Sequence, residues 1–223
     1  MKLNLTNLAK DKVFRFVLIH HPPNNHEEPD VELGREPMFN GVSFLRVLED
    51  TGLDWLVIHG HKHFQRLVRI GDSDRSPMIF GAGSFGAGLK GTVATKTKNQ
   101  FYIIDFDVGI DAIGEERLKA NFNSFYWDLT EWRPVVQETQ GLPNFCGFDL
   151  SKKLDVPQLA VLIRDAIPHG TPWCTWAELK EQIHALNYLT PSDIKSLKVA
   201  LGKLKVKGVA EPQNWFPEQL SLP

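Results

Sequence analysis

The sequence contains little cysteine, no long apolar run and little net charge, and each of these absences excludes a class of protein. Only two of the 223 residues are cysteine, Cys146 and Cys174, and their spacing fits neither a zinc motif nor a redox motif. This excludes a disulfide-rich secreted domain and predicts a cytoplasmic protein with two reduced thiols. No stretch approaches the roughly 18 consecutive apolar residues of a membrane helix, and no signal-peptide core is present, so we expect no membrane contact.

The charge balance and the apolar content are those of a folded globular chain. The 25 basic and 27 acidic residues give a net charge of -2, too small to draw the whole molecule to nucleic acid or anionic lipid. Hydrophobic residues make up 42% of the chain and charged residues 23%, values far from those of a disordered protein. Any binding site must therefore come from a local group of residues.

Short apolar segments indicate strands through residues 1–140. The segment 13–19 is apolar nearly throughout, which predicts a strand buried on both faces that ends before Pro22 and Pro23. A helix is indicated around 44–48, and Gly52 suits its left-handed stop. Further strands are predicted at 55–58, 67–70, 78–80, 101–106 and 122–127, with a glycine-rich turn at 81–88. This mixed order predicts an α+β fold of packed sheets with flanking helices.

The composition changes near residue 140, which predicts a second domain. Residues 141–155 have the composition of a linker, and helices are predicted at 156–167, 175–186 and 191–207. The predicted organisation is thus 1–140 as the main domain, 141–155 as linker and 156–223 as a small helical domain. This domain is interpreted as a helical cap, a protein-docking module or a winged-helix-like unit that binds nucleic acid.

Two groups of histidines follow apolar strands. His20 and His21 end the first strand, and His59, His61 and His63 follow the second. In extended backbone the side chains at i and i+2 project to the same side, so we expect His61 and His63 to converge. An isolated His-x-His pair is more often a solvated turn, but two such groups at one sheet edge favour a transition-metal site.

Three motifs in this order resemble the calcineurin-like metallophosphoesterases. They are FVLIHHPP, VIHGHKH and GAGSFGA, and NQFYIIDFD is similar to a late strand of that family. The resemblance covers residues 13–110, which would be the C-terminal half of the catalytic domain. It implies part of an αββα sandwich, a dinuclear site for divalent ions such as manganese, iron or zinc, and hydrolysis of phosphate esters.

The resemblance also implies a set of metal ligands. His20 matches the family's His-x-Pro motif because Pro22 stands two residues after it, and His61 and His63 match Gly-His-x-His. His21 is the less favoured candidate for the first position. His59 is interpreted as a packed group beside the site, and His26 as part of a solvated loop.

The chain departs from the family in its acidic motifs. Residues 1–19 contain no Asp-x-His, Gly-Asp-x-x-Asp or Asn-His-Asp/Glu, so the bridging carboxylate is missing. We therefore expect little activity from this chain alone, an exposed apolar face with an open strand edge, and an upstream fragment as partner. The second hypothesis is a non-catalytic remnant or interaction protein that binds a partner through its helical domain. The substrate stays open among phosphate esters.

Overall fold

The predicted α+β class is confirmed. The computed structural model describes residues 4–24, 37–71, 73–168, 173–208, 213–217 and 219–222. Within these ranges the α-helices are α1 Leu5–Ala9, α2 Gly41–Glu49, α3 Gly91–Lys96, α4 Val156–Ala166, α5 Trp176–Gln182 and α6 Pro191–Lys203, and a 3₁₀ helix spans His184–Tyr188. The strands are β1 Phe16–Ile19, β2 Leu56–His59, β3 Arg66–Arg69, β4 Met78–Gly81, β5 Gln100–Ile110, β6 Glu116–Trp127, β7 Trp132–Pro134, β8 Cys146–Asp149, β9 Cys174–Thr175 and β10 Gln219–Leu220.

The first sheet has the strand order β1-β2-β4-β3. Strands β1, β2 and β4 run parallel, and β3 pairs antiparallel with β4. The short apolar segments of β2 and β4 are buried almost completely, as expected of central strands covered on both faces. The carboxyl ends of β1 and β2 therefore open at one edge of this sheet.

The second sheet is antiparallel and is built on the long β5–β6 hairpin. Strand β6 pairs with β5 along one edge and with β7 and β8 along the other. The two sheets face each other, since the ring of Phe80 on β4 lies 5.0 Å from that of Phe122 on β6 and 4.9 Å from that of Tyr102 on β5. On its opposite face the first sheet is covered by α1 and α2, through a smaller cluster that includes Leu45, Leu48 and Ile79.

The helical unit begins with α4 and shares the main core. Side chains from α4, α5 and α6 belong to the same buried cluster as the side chains between the two sheets. Thr175 and Thr190 form capping boxes with Glu178 and Asp193, which fixes the starts of α5 and α6. Both helix starts agree with the sequence, although α6 ends at Lys203 rather than at residue 207.

Part of the segment predicted as a linker, 141–155, is a strand. Residues 146–149 form β8, which pairs with β6, and Leu142, Phe148 and Leu150 are buried. This part of the chain therefore belongs to the second sheet. No helix within the described residues is long and apolar enough to cross a membrane.

The prediction that the first strand is buried on both faces is wrong. Strand β1 is shorter than predicted, and Phe16 and Leu18 are 40% and 76% exposed. Within the described residues β1 pairs only with β2, and β5 pairs only with β6, so each sheet has an open edge. The rings of Phe14, Phe16 and Phe106 meet between these two edges, with Phe16 and Phe106 4.7 Å apart.

Candidate metal centre

Two neighbouring parallel strands bring the two histidine groups together. In the register of β1 and β2, Ile19 lies beside His59, so the residues that follow leave the sheet at the same edge. In α/β sheets this carboxyl edge is the usual place for ligands. His20 comes directly after β1, and His61 comes two residues after β2.

Three imidazoles meet at this edge. His20 Nε2 and His61 Nδ1 are 2.9 Å apart and form a hydrogen bond, in which one nitrogen donates and the other accepts. The His21 ring centroid lies 4.1 Å from that of His61 and 4.9 Å from that of His20. One potential ligand atom from each of the three residues lies within 4.8 Å of the others. We call His20, His21 and His61 the imidazole group.

The segment that carries His20 and His21 is held by packing on α2. Pro22 and Pro23 are buried beneath the exposed histidines. A Cβ atom at Gly41, the first residue of α2, would lie only 1.9 Å from the Pro23 carbonyl oxygen. The close approach of Gly41 therefore fixes the turn after His21, and a larger residue at position 41 would push the turn outward.

The backbone around His61 differs from the predicted one. His61 and His63 are not in the extended backbone that their i, i+2 spacing predicts; both have left-handed conformations, with φ of 67° and 54°. Gly60, which was expected to provide the sharp turn, has no positive φ. The left-handed region costs a non-glycine residue roughly 1–2 kcal/mol. Side chains alternate between two sides only in extended backbone, so the i, i+2 spacing does not bring the side chains of His61 and His63 together here.

The predicted ligand set and the observed group overlap at two positions. His20 and His61 belong to the imidazole group, and His21 takes the third place, while His63 is not part of it. The sequence also indicates His21, because it follows the same predicted strand as His20. The family's His-x-Pro motif favours His20 over His21 as the ligand. His26 lies outside the described residues.

His59 is buried behind the imidazole group. It is 2% exposed, its Nδ1 lies 3.0 Å from the Gly60 carbonyl oxygen, and its ring packs against Gly81, where a Cβ would approach Nε2 to 3.1 Å. Burial lowers the pKa of His59; the hydrogen bond with the Gly60 carbonyl partly opposes this, and the nearby Arg66 guanidinium adds a smaller lowering. A neutral, packed His59 agrees with its interpretation as a group beside the site.

The donor set suits a divalent transition metal. Nitrogens bound to tetrahedral zinc at about 2.0–2.1 Å lie roughly 3.3–3.4 Å apart. The 2.9 Å between His20 Nε2 and His61 Nδ1 is a few tenths shorter because a hydrogen bond joins them. Within the described residues no carboxylate belongs to the group, so its potential ligands are three imidazoles. His20 and His21 are exposed, which leaves one side of the group open to solvent.

Comparisons with family models, with curated proteins and with solved structures returned no match.

Proposed function

We propose that the chain is a metal-dependent hydrolase of phosphate esters whose ion is held by His20, His21 and His61. The observation that carries the proposal is the convergence of these three imidazoles at the carboxyl edge of β1 and β2. Manganese, iron and zinc all accept imidazole nitrogen, and the donor set does not select among them.

The charge of the site favours an anionic substrate. The three imidazoles that the described residues contribute carry no negative charge to balance that of a divalent ion, and a phosphate ester supplies such a charge. When bound, such an ion lowers the pKa of a coordinated water and polarises a phosphoryl oxygen. The chain's own contribution is to orient the imidazoles, His20 through its contact with His61, and to keep one side of the group accessible.

The layer order supports the resemblance to the metallophosphoesterases. Two facing sheets with α1 and α2 on one outer face are what part of an αββα sandwich requires. No carboxylate of the described residues belongs to the imidazole group, which supports the second part of the proposal, a partner fragment that contributes acidic ligands. In the described part of the chain β1 and β5 each lack a partner strand on one side, which offers this fragment a place to pair.

The test combines metal content with hydrolysis of bis(4-nitrophenyl) phosphate in the presence of Mn²⁺. We expect slow, metal-dependent hydrolysis that is lost in His61→Ala, and unchanged in His184→Ala, an exposed histidine of the 3₁₀ helix. Hydrolysis that persists in His61→Ala would refute the site. A wild-type protein that retains metal without hydrolysing the ester would refute the activity and leave the metal site standing.

One observation favours a second function, nucleic-acid binding by the helical unit. After α6, Lys207 pairs with Ser221, while β10 pairs with β9, which gives the order helix, strand, helix, helix, strand, strand. This order is similar to a winged helix, with α6 in the place of the recognition helix. If the unit binds duplex DNA, fluorescence anisotropy of a labelled duplex should show an affinity that decreases as the salt concentration rises. At a fixed salt concentration, Lys203→Glu should bind more weakly than the wild type, and Lys10→Glu should bind equally well. Equal affinity of all three proteins would exclude this function.

A further inference from the structure

A cleft of about 460 Å³ lies where the first sheet meets the helical unit. Its walls come from the chain before and along β3, from the end of α3, from the turn at residues 138–142 and from the first turns of α6. None of the three histidines of the imidazole group lines it. Its volume falls within the range of small-molecule sites, roughly 300–1,000 Å³, which also occur preferentially between structural units.

The charged side chains of the cleft are mostly basic. Arg66, Lys96 and Lys195 line it together with a single carboxylate, that of Glu138. Lys195 Nζ lies 3.1 Å from Glu138 Oε2 and 5.3 Å from the centroid of the Trp215 ring, so its ammonium is positioned from two sides. Lys96 forms no ion pair within the described part of the chain. The net charge of these four side chains is +2, which favours the binding of an anion.

A buried amide adds a donor to the wall. Gln65 is 8% exposed and lines the cleft, and its Oε1 accepts hydrogen bonds from Thr97 Oγ1 at 2.6 Å and Gln100 Nε2 at 3.1 Å. Because both contacts use the oxygen, the side chain is fixed with its nitrogen as the remaining donor. Among the described residues no acceptor for Gln65 Nε2 is found. A ligand oxygen in the cleft would satisfy this group.

The remaining wall is apolar and aromatic. Phe64, Leu67, Leu142 and Trp215 line the cleft, and the Trp215 Nε1 donates to the Gly141 carbonyl oxygen at 2.9 Å, which fixes the indole ring. Trp215 is 6% exposed and the Lys195 ammonium lies over its ring, so the accessible apolar surface of the cleft comes mainly from the half-buried Phe64 and Val68. The cleft thus combines an apolar wall with basic groups.

We propose that this cleft binds a small organic anion, an aromatic ring system that carries one anionic group. The ring lies against Phe64, and the anionic group is held by Lys96, Lys195 and Gln65. The site is separate from the imidazole group, so its occupancy does not depend on the proposed hydrolase activity.

Calorimetric titration with three probes tests the ligand class. The metal-free 223-residue chain is titrated with 1-naphthalenesulfonate, with neutral 2-naphthalenemethanol and with inorganic sulfate. We expect saturable binding of the sulfonate to one site, and binding of the other two weaker by about tenfold or more, since each lacks one half of the recognition. Equal binding of the neutral alcohol, or no saturable binding of the sulfonate, would overturn the proposal.

Matched variants test the place of binding. Lys96→Glu should weaken sulfonate binding by about tenfold, whereas Lys98→Glu, an exposed lysine two residues away that does not line the cleft, should have no effect. Thr139→Trp, a substitution at an exposed lining residue, should block binding by filling the cleft. His61→Ala should bind as the wild type does. An equal loss in both lysine variants, or a loss in His61→Ala, would place the anion elsewhere.

Discussion

Asp54 joins the two sheets through a buried ion pair. It is 4% exposed and accepts from Arg117 Nε at 2.9 Å and from the backbone N–H of Leu118 at 2.9 Å. Arg75 Nη1 approaches the same carboxylate at 3.4 Å. Since Asp54 precedes β2 and Arg117 lies on β6, this contact holds the sheet that carries His61 against the second sheet.

Removal of this carboxylate should destabilise the fold strongly. Asp54→Ala leaves the 6% exposed Arg117 without its main partner, and we expect a loss of about 3–5 kcal/mol in the free energy of unfolding. Urea denaturation measures it. The control is Asp165→Ala, whose pair with Arg164 is solvent-exposed and should contribute about 0–1 kcal/mol. An effect of Asp54→Ala as small as that of the control would contradict this role.

His21 and His63 can be separated by their effect on metal affinity. His21 belongs to the imidazole group and His63 does not, so His21→Ala should weaken metal binding by about 100-fold or more, given that even outer partners of a ligand contribute roughly 10–100-fold. His63→Ala should leave the affinity near that of the wild type. Competition with a chelating dye measures both. The opposite order would restore the ligand set that the family motif predicts.

At the residue scale, the sequence predicts that the two histidine segments lie at one sheet edge, but not which of these histidines can bind the same ion. Strand ends at His20 and His59 can be read from the apolar runs before them, and parallel pairing then brings the following residues together. The left-handed backbone at His61 and His63 could not be read from the sequence, because residues other than glycine rarely adopt it. The choice between His21 and His63 depends on that backbone.

Strand β1 is the element most exposed to unwanted contacts. Its outer edge is unpaired within the described residues, and Leu18 and Phe16 add apolar surface beside it. Open edges of this kind pair with other chains. From the missing acidic motifs we expect an exposed edge and an exposed apolar face; among the described residues β1 has no second partner strand, and Leu18 is 76% exposed.

This edge predicts concentration-dependent self-association of the chain. Leu18→Lys should reduce the apparent mass in light scattering because a lysine on an edge strand opposes pairing. Val199→Lys is the control, because Val199 is 60% exposed on α6, which belongs to neither sheet. A wild-type protein that stays monomeric at every concentration would contradict the account of β1.

Element boundaries show where local patterns stop being informative. Gly52 was expected to end the helix now seen as α2, and its φ of 68° confirms the left-handed stop. Strand β8 was missed because Gly141, Pro143, Asn144 and Gly147 give residues 141–155 the composition of a loop. Its strand conformation comes from pairing with β6, a contact distant in sequence.

For the whole molecule, one core runs from the sheets into the helical unit. Cys146 lies on β8 and Cys174 on β9, and both belong to this cluster. Burial raises the pKa of both thiols, so each should react slowly in the folded protein. The division into 1–140 and 156–223 stays a prediction, and the shared core favours joint unfolding of the two parts.

Thiol labelling distinguishes joint from separate unfolding. Cys146→Ala and Cys174→Ala each leave one reporter, and labelling with a chromogenic disulfide at increasing urea gives the free energy of opening at each place. We expect the same midpoint for both because the cluster is continuous. A lower midpoint for Cys174 would show that the helical unit unfolds as an independent domain.

The imidazole group is the central claim at every scale, and anomalous scattering from crystals grown with Zn²⁺ tests it most directly. The account predicts one ion at the carboxyl edge of β1 and β2, about 2.0–2.1 Å from a ring nitrogen of each of His20, His21 and His61. An ion bound by His63 in place of His21, or no anomalous peak near His20 and His61, would contradict it.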